Sequence, residues 1–87
     1  MDLNLPLAAN NETPEPILIA AAIPHVIRHG AIHGALGSRA VGETMVLVAP
    51  HNPLPLLKEI GEREENFDVE YLTEGPDTWR IRFTRTA

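Results

Sequence analysis

The chain has 87 residues, a net charge of −5 and no cysteine. A chain this short holds one domain with a thin core. The acidic balance argues against a nucleic-acid footprint, and the lack of cysteine excludes disulfides, thiolate ligands and persulfide chemistry. No stretch reaches the roughly 18 apolar residues of a membrane span, and the N-terminus lacks a basic leader. A soluble cytoplasmic protein with no membrane partner is the expectation.

Residues 1–16 carry three prolines and three asparagines without a sustained period, which reads as a flexible arm ahead of a single domain at 17–87. Leu3, Leu5 and Leu7 alternate there and admit a short edge strand. Ile17 to Ile23 is an apolar run stopped by Pro24; its length and β-branched start favour a strand over a buried helix. From Arg28 to about Gly37, Ile32, Ala35 and Leu36 fall on one helical face. Gly30 and Gly34 each weaken that helix by roughly 1 kcal/mol relative to alanine, a cost that suggests close approach to a sheet. Gly37 or Gly42 is placed to end it. Glu43 to Ala49 reads as a central strand, because Met45-Val46-Leu47-Val48-Ala49 is apolar on both faces. Asn52 then serves as N-cap, with Pro53 opening a second helix whose inner face is Pro53, Leu56, Leu57 and Ile60. Gly61 and Glu62-Arg63-Glu64-Glu65-Asn66 end it in solvent.

The last two strands alternate: Phe67, Val69 and Tyr71 against Asp68 and Glu70, then Trp79, Ile81 and Phe83 against Arg80 and Arg82. A turn at Glu74-Gly75-Pro76 joins them. Pairing Tyr71 with Trp79 aligns Val69 with Ile81 and Phe67 with Phe83, and sets Glu70 opposite Arg80 and Asp68 opposite Arg82. Trp79 reads as core beneath a helix rather than as a stacking residue. The order strand, helix, strand, helix, strand, strand predicts an α/β (α+β) two-layer sandwich, βαβαββ, with two helices on one face of a four-stranded mixed sheet. The other sheet face stays open, and Val46 or Val48, Leu72 and the alanines of the first strand would leave apolar area there.

Four histidines, His25, His29, His33 and His51, are the concentrated signal, and parallel pairing of the first two strands brings His25, His29 and His51 toward one sheet edge, where open α/β sheets bind ligands and both helices begin. His29 and His51, with Arg28, Asn52 and either His25 or His33, therefore form a candidate site for an anion or a transition metal. His29 and His33 are four apart, which lets one helix offer two ligands. The plainer reading has His51 bonding a loop carbonyl, His29 capping or packing at a helix start, and His25 and His33 exposed. No Glu or Asp adjoins the histidines in sequence, so a hydrolytic centre of the His-Glu type is not indicated.

Three segments carry a family resemblance: Arg28-His29-Gly30-Ala31-Ile32, Pro50-His51-Asn52-Pro53-Leu54-Pro55-Leu56, and Gly75-Pro76-Asp77-Thr78-Trp79-Arg80-Ile81-Arg82. In order and spacing they resemble an uncharacterised bacterial domain family with a TusA-like fold, domain of unknown function 2249, over roughly residues 17–86. The resemblance implies the same βαβαββ order, a bacterial cytoplasmic setting, and the company of hemerythrin-like and cupin domains in respiratory or nitrogen-oxide contexts. It brings no activity. TusA relays sulfur through a cysteine, and this chain has none. Two positions depart from the family pattern: Gly30 stands where proline is usual, and Asn52 where aspartate is usual, which removes a carboxylate ligand.

Two functions follow as expectations. One is a non-catalytic binding module that uses the histidine edge for a metal, a haem-type cofactor or a small anion. The alternative is a protein-interaction module, either a homodimer or a domain docking on a larger redox or respiratory protein, working through the open sheet face. An enzyme is the least supported reading, since no nucleophile with its base, phosphate loop or carboxylate dyad stands out.

Overall fold

A computed structural model of the protein describes residues 15–87. The proposed strand at Leu3, Leu5 and Leu7, and most of the proposed arm, lie outside the described residues. Strand β1 (Ile17–Ile19) passes through a 3-10 turn (Ala20–Ala22) to helix α1 (His25–Gly37). Strand β2 (Thr44–Ala49), helix α2 (Leu54–Gly61), and strands β3 (Phe67–Glu74) and β4 (Trp79–Arg85) follow. The strands form one sheet in the order β1-β2-β4-β3, with β1 parallel to β2 and β4 antiparallel to both its neighbours. This is the expected α+β arrangement of two helices and a four-stranded mixed sheet.

Strand alternation puts Met45 and Leu47 of β2 on the same face as Ile81 and Phe83 of β4. There they pack with Ile32 and Leu36 of α1 and Ile60 of α2. Val46 on the opposite face, which carries no helix, is also buried. The first strand is shorter than expected: only Ile17–Ile19 pair, and the alanines wind into the 3-10 turn, with Ala20 turned into the core. Helix α1 begins at His25, earlier than the apolar spacing indicates, because its first turn is exposed (Val26 87% accessible) and so carries no inward period.

The close approach expected at Gly30 and Gly34 is not there: a β-carbon at either position would meet nothing within 4 Å. Both glycines are exposed helix-interior residues, so their cost to the helix is uncompensated. Gly30→Ala is expected to stabilise the fold by about 1 kcal/mol, raising the thermal midpoint by roughly 4–8 °C. A lowered midpoint would show that the backbone needs glycine here.

The terminal hairpin pairs Tyr71 with Ile81, Val69 with Phe83 and Glu70 with Arg82, two residues away from the expected register. An irregularity at Leu72, between Tyr71 and Thr73, then sets Thr73 against Arg80 and Glu74 against Trp79. A shift of two keeps every side chain on its face, so alternation alone does not distinguish the registers. The turn supplies the difference: Gly75 donates to the Thr78 carbonyl at 3.0 Å. Gly75 has φ +60°, and a β-carbon on it would lie 2.9 Å from Cζ2 of Trp79. Trp79 is half-buried and meets the Tyr71 ring edge-on at 6.0 Å, outside the core beneath the helices.

The open face is more polar than expected. At its centre Arg82 bonds Glu15 at 2.8 Å and Glu70 at 3.2 Å. Val46 is buried, Leu72 is exposed as expected, and Ile17 and Ile19 are exposed at the β1 edge. Hydrogen bonds from Arg82 and from Thr44, together with the Arg82 charge, hold the Glu15 carboxyl below its ordinary value against a smaller opposing effect of burial. A depressed carboxyl stabilises the fold above its unfolded pKa and loses that contribution as pH falls through the folded value. Glu15→Gln is therefore expected to lower stability at neutral pH and to converge on the unsubstituted protein below the ordinary glutamate range, as read by denaturant midpoints at several pH values. Parallel curves at all pH values would exclude this linkage.

Candidate functional site

Because β1 and β2 are parallel, they end at one edge of the sheet, and α1 and α2 both start beside it. A cavity of about 600 Å³ opens there. Its apolar wall includes Ala20, Ala21, Ile32, Leu47, Ala49 and Leu56, and its polar groups are His25, Arg28, His29, His51 and Glu59. The chain thus places three of the four histidines and Arg28 around one space, as the topology predicts. Asn52 is not among the lining residues.

Arg28 donates from Nε (3.2 Å) and Nη2 (2.8 Å) to the Ile23 carbonyl, which ties its guanidinium to the linker between β1 and α1. Among the described residues it has no carboxylate partner. Neither helix has a side-chain N-cap bond or an acidic residue in its first turn, so the positive ends of both dipoles are uncompensated by the protein. Asn52 is not the cap that the sequence suggests. Pro53 occupies the cap position, α2 starts at Leu54, and the Asn52 amide oxygen accepts from the Tyr71 hydroxyl at 2.9 Å instead. His51 is exposed, with Nδ1 3.5 Å from the Asn52 carbonyl, at the outer limit for a hydrogen bond.

A tighter cluster lies on the helix side of the cavity. One helical turn separates His29 from His33, and their ring centroids are 4.7 Å apart. Glu59 of α2 sets Oε1 3.3 Å from His29 Nε2 and 3.0 Å from His33 Nε2. These three residues offer ligand atoms all within 4.8 Å of one another, a set that could hold a metal ion. His25 and His51 line the cavity without joining this cluster. The Arg63 Nη1 lies 2.8 Å from His33 Nδ1. A guanidinium only donates, so Nδ1 accepts and the ring proton sits on Nε2, from which it is donated to Glu59. Arg63 is held in turn by Glu65 at 3.0 Å, and that hydrogen bond is the main cause of the lowered Glu65 carboxyl.

Glu59 and Arg63 were not legible as site residues. Glu59 precedes the core residue Ile60 on α2, and Arg63 stands in the charged run that reads as a solvated helix end. Only packing of α2 beside α1 brings them to His29 and His33, which lie 26 to 34 positions earlier in the chain. The i, i+4 histidine spacing is the one sequence signal that pointed to this place.

No curated protein and no solved structure matches the chain. Its three segments around His29, His51 and Trp79 fall within a match that spans residues 20–85, and on that match the chain belongs to the family described as Uncharacterized conserved protein (DUF2249).

Proposed function

We propose that this domain is a small-molecule binding module whose cavity takes a compact carboxylate with an apolar body. The observation that carries this reading is Arg28, a guanidinium anchored at the cavity with no acidic partner among the described residues. Arg28 supplies the charge and directional donors that suit a carboxylate. The uncapped helix starts add positive potential, and the alanine, leucine and isoleucine walls suit a hydrocarbon body. His25, His29 and His51 are neighbouring donors or acceptors for further polar atoms on the ligand.

The test is an NMR titration of the metal-free protein with sodium hexanoate, and separately with sodium phosphate. Hexanoate is expected to give saturable shifts at the Ala20, Ala21 and Leu56 amides and at the rings of His25, His29 and His51, with phosphate acting more weakly. If millimolar hexanoate leaves these positions unmoved, the reading is wrong.

The exposure of Ile17 and Ile19 along the edge strand β1 favours a second reading, in which a partner protein or a second copy pairs with that edge. Light scattering over a concentration series tests the self-pairing form. A monomer at every concentration would remove it.

A further inference from the structure

We propose that His29, His33 and Glu59 form a site for a divalent first-row transition metal, and that Arg63 holds this site in its metal-free form. This inference rests on the side-chain cluster and not on the cavity ligand.

The donor set is two imidazoles and one carboxylate, a combination that takes zinc and its neighbours. A four-coordinate ion with bonds near 2.0–2.1 Å keeps adjacent ligand atoms roughly 3.3 Å apart. Glu59 Oε1 already stands 3.3 Å from one imidazole nitrogen and 3.0 Å from the other. Rigid elements fix the ligands: both histidines project from successive turns of α1, and Glu59 comes from α2, next to the buried Ile60. Three protein ligands leave a coordination position open. The His29 side chain is 69% exposed and the Glu59 side chain 44%, so solvent reaches that position.

Arg63 decides which form is populated. An imidazole that binds metal through Nε2 must carry its proton on Nδ1, and metal-bound histidines donate that proton to an acceptor. Here Nδ1 of His33 faces a donor instead, at 2.8 Å. The proton is thereby kept on Nε2, the atom a metal would need. Metal binding requires Arg63 to move off Nδ1 and the His33 proton to pass from Nε2 to Nδ1 through solvent, with no net proton released by that ring. Among the described residues, Arg63 has Glu65 as a carboxylate partner that can retain it after it leaves His33.

The experiment is calorimetric titration of the full chain with zinc chloride, paired with cobalt(II) absorption spectra. The proteins compared are the unsubstituted chain, Arg63→Gln, Arg63→Met and His33→Gln. Both Arg63 variants are expected to bind zinc at least about tenfold more tightly than the unsubstituted protein, the scale on which outer partners of a ligand act. His33→Gln should lose the binding and the tetrahedral cobalt bands. Nitrogen-15 spectra of the rings should show His33 protonated on Nε2 without zinc and on Nδ1 with it. Equal affinity in the Arg63 variants and the parent overturns the lock. No zinc binding in any protein, or full binding in His33→Gln, overturns the site. Hexanoate titration of metal-free Arg63→Gln separates this from the cavity reading, because Arg63 does not line the cavity and its replacement should leave hexanoate affinity unchanged.

Discussion

Phe83→Ala is expected to destabilise the domain by about 3–5 kcal/mol and to leave a large fraction of the chain unfolded at 37 °C. Phe83 is fully buried, pairs with Met45 of β2 on one side and Val69 of β3 on the other, and faces the helices within the apolar core. Truncating it opens a void that the sheet cannot close, since β4 is held along its whole length by two neighbours. Native domains are stable by only about 5–15 kcal/mol, and small ones have less apolar area to spend on a void. At roughly 4–8 °C per kcal/mol for a chain of this size, the thermal midpoint should fall by more than about 12 °C. Val69→Ala is the control. Val69 is the cross-strand partner of Phe83 but is 43% exposed, so its truncation should cost about 1 kcal/mol or less. Similar losses from the two variants would mean that the core is not where the buried areas put it.

Arg28→Gln is the second large effect, and it falls on binding. Hydrogen bonds to a charged group contribute about 1.5–3 kcal/mol, so hexanoate affinity should drop by roughly 10- to 100-fold. The substitution also removes two donors from the Ile23 carbonyl, so some thermal destabilisation is expected as well. Arg28→Lys separates the two contributions. It keeps the positive charge but replaces the planar fork with a point charge, and should recover part of the affinity. Unchanged hexanoate binding in Arg28→Gln, with the fold retained by circular dichroism, would show that the carboxylate is held elsewhere.

The parts of this fold that were legible are those where one segment states its environment alone. Met45 to Ala49 is apolar at every position, as suits a strand inside a sheet rather than at its rim, and β2 lies between β1 and β4. Ile32 and Leu36 recur at helical spacing and are both buried. The hairpin shows where such reasoning stops. Glu70 finds an arginine in either register, Arg80 or Arg82, and a two-residue shift preserves every face. What chooses is the geometry of the turn at Gly75 and the irregularity at Leu72, neither of which leaves a mark in the alternation. The capping role given to Asn52 failed for a related reason. Its amide oxygen has a long-range partner in Tyr71, and a local motif cannot register a competitor from another strand. The site divides in the same way. Parallel pairing of β1 and β2 was enough to bring His25, Arg28, His29 and His51 to one space, whereas Glu59 and Arg63 depend on helix packing that no spacing encodes.

The 3-10 turn at Ala20–Ala22 has a bearing on what the domain can admit. Two of its three alanines, Ala20 and Ala21, border the cavity, and an alanine reaches only one methyl group from the backbone. The width of the chamber at that side is thus fixed by main chain rather than by swinging side chains. Such a boundary does not yield to an oversized guest, so discrimination by girth would originate at this turn while discrimination by charge would originate at Arg28, two separable filters on neighbouring stretches of the chain.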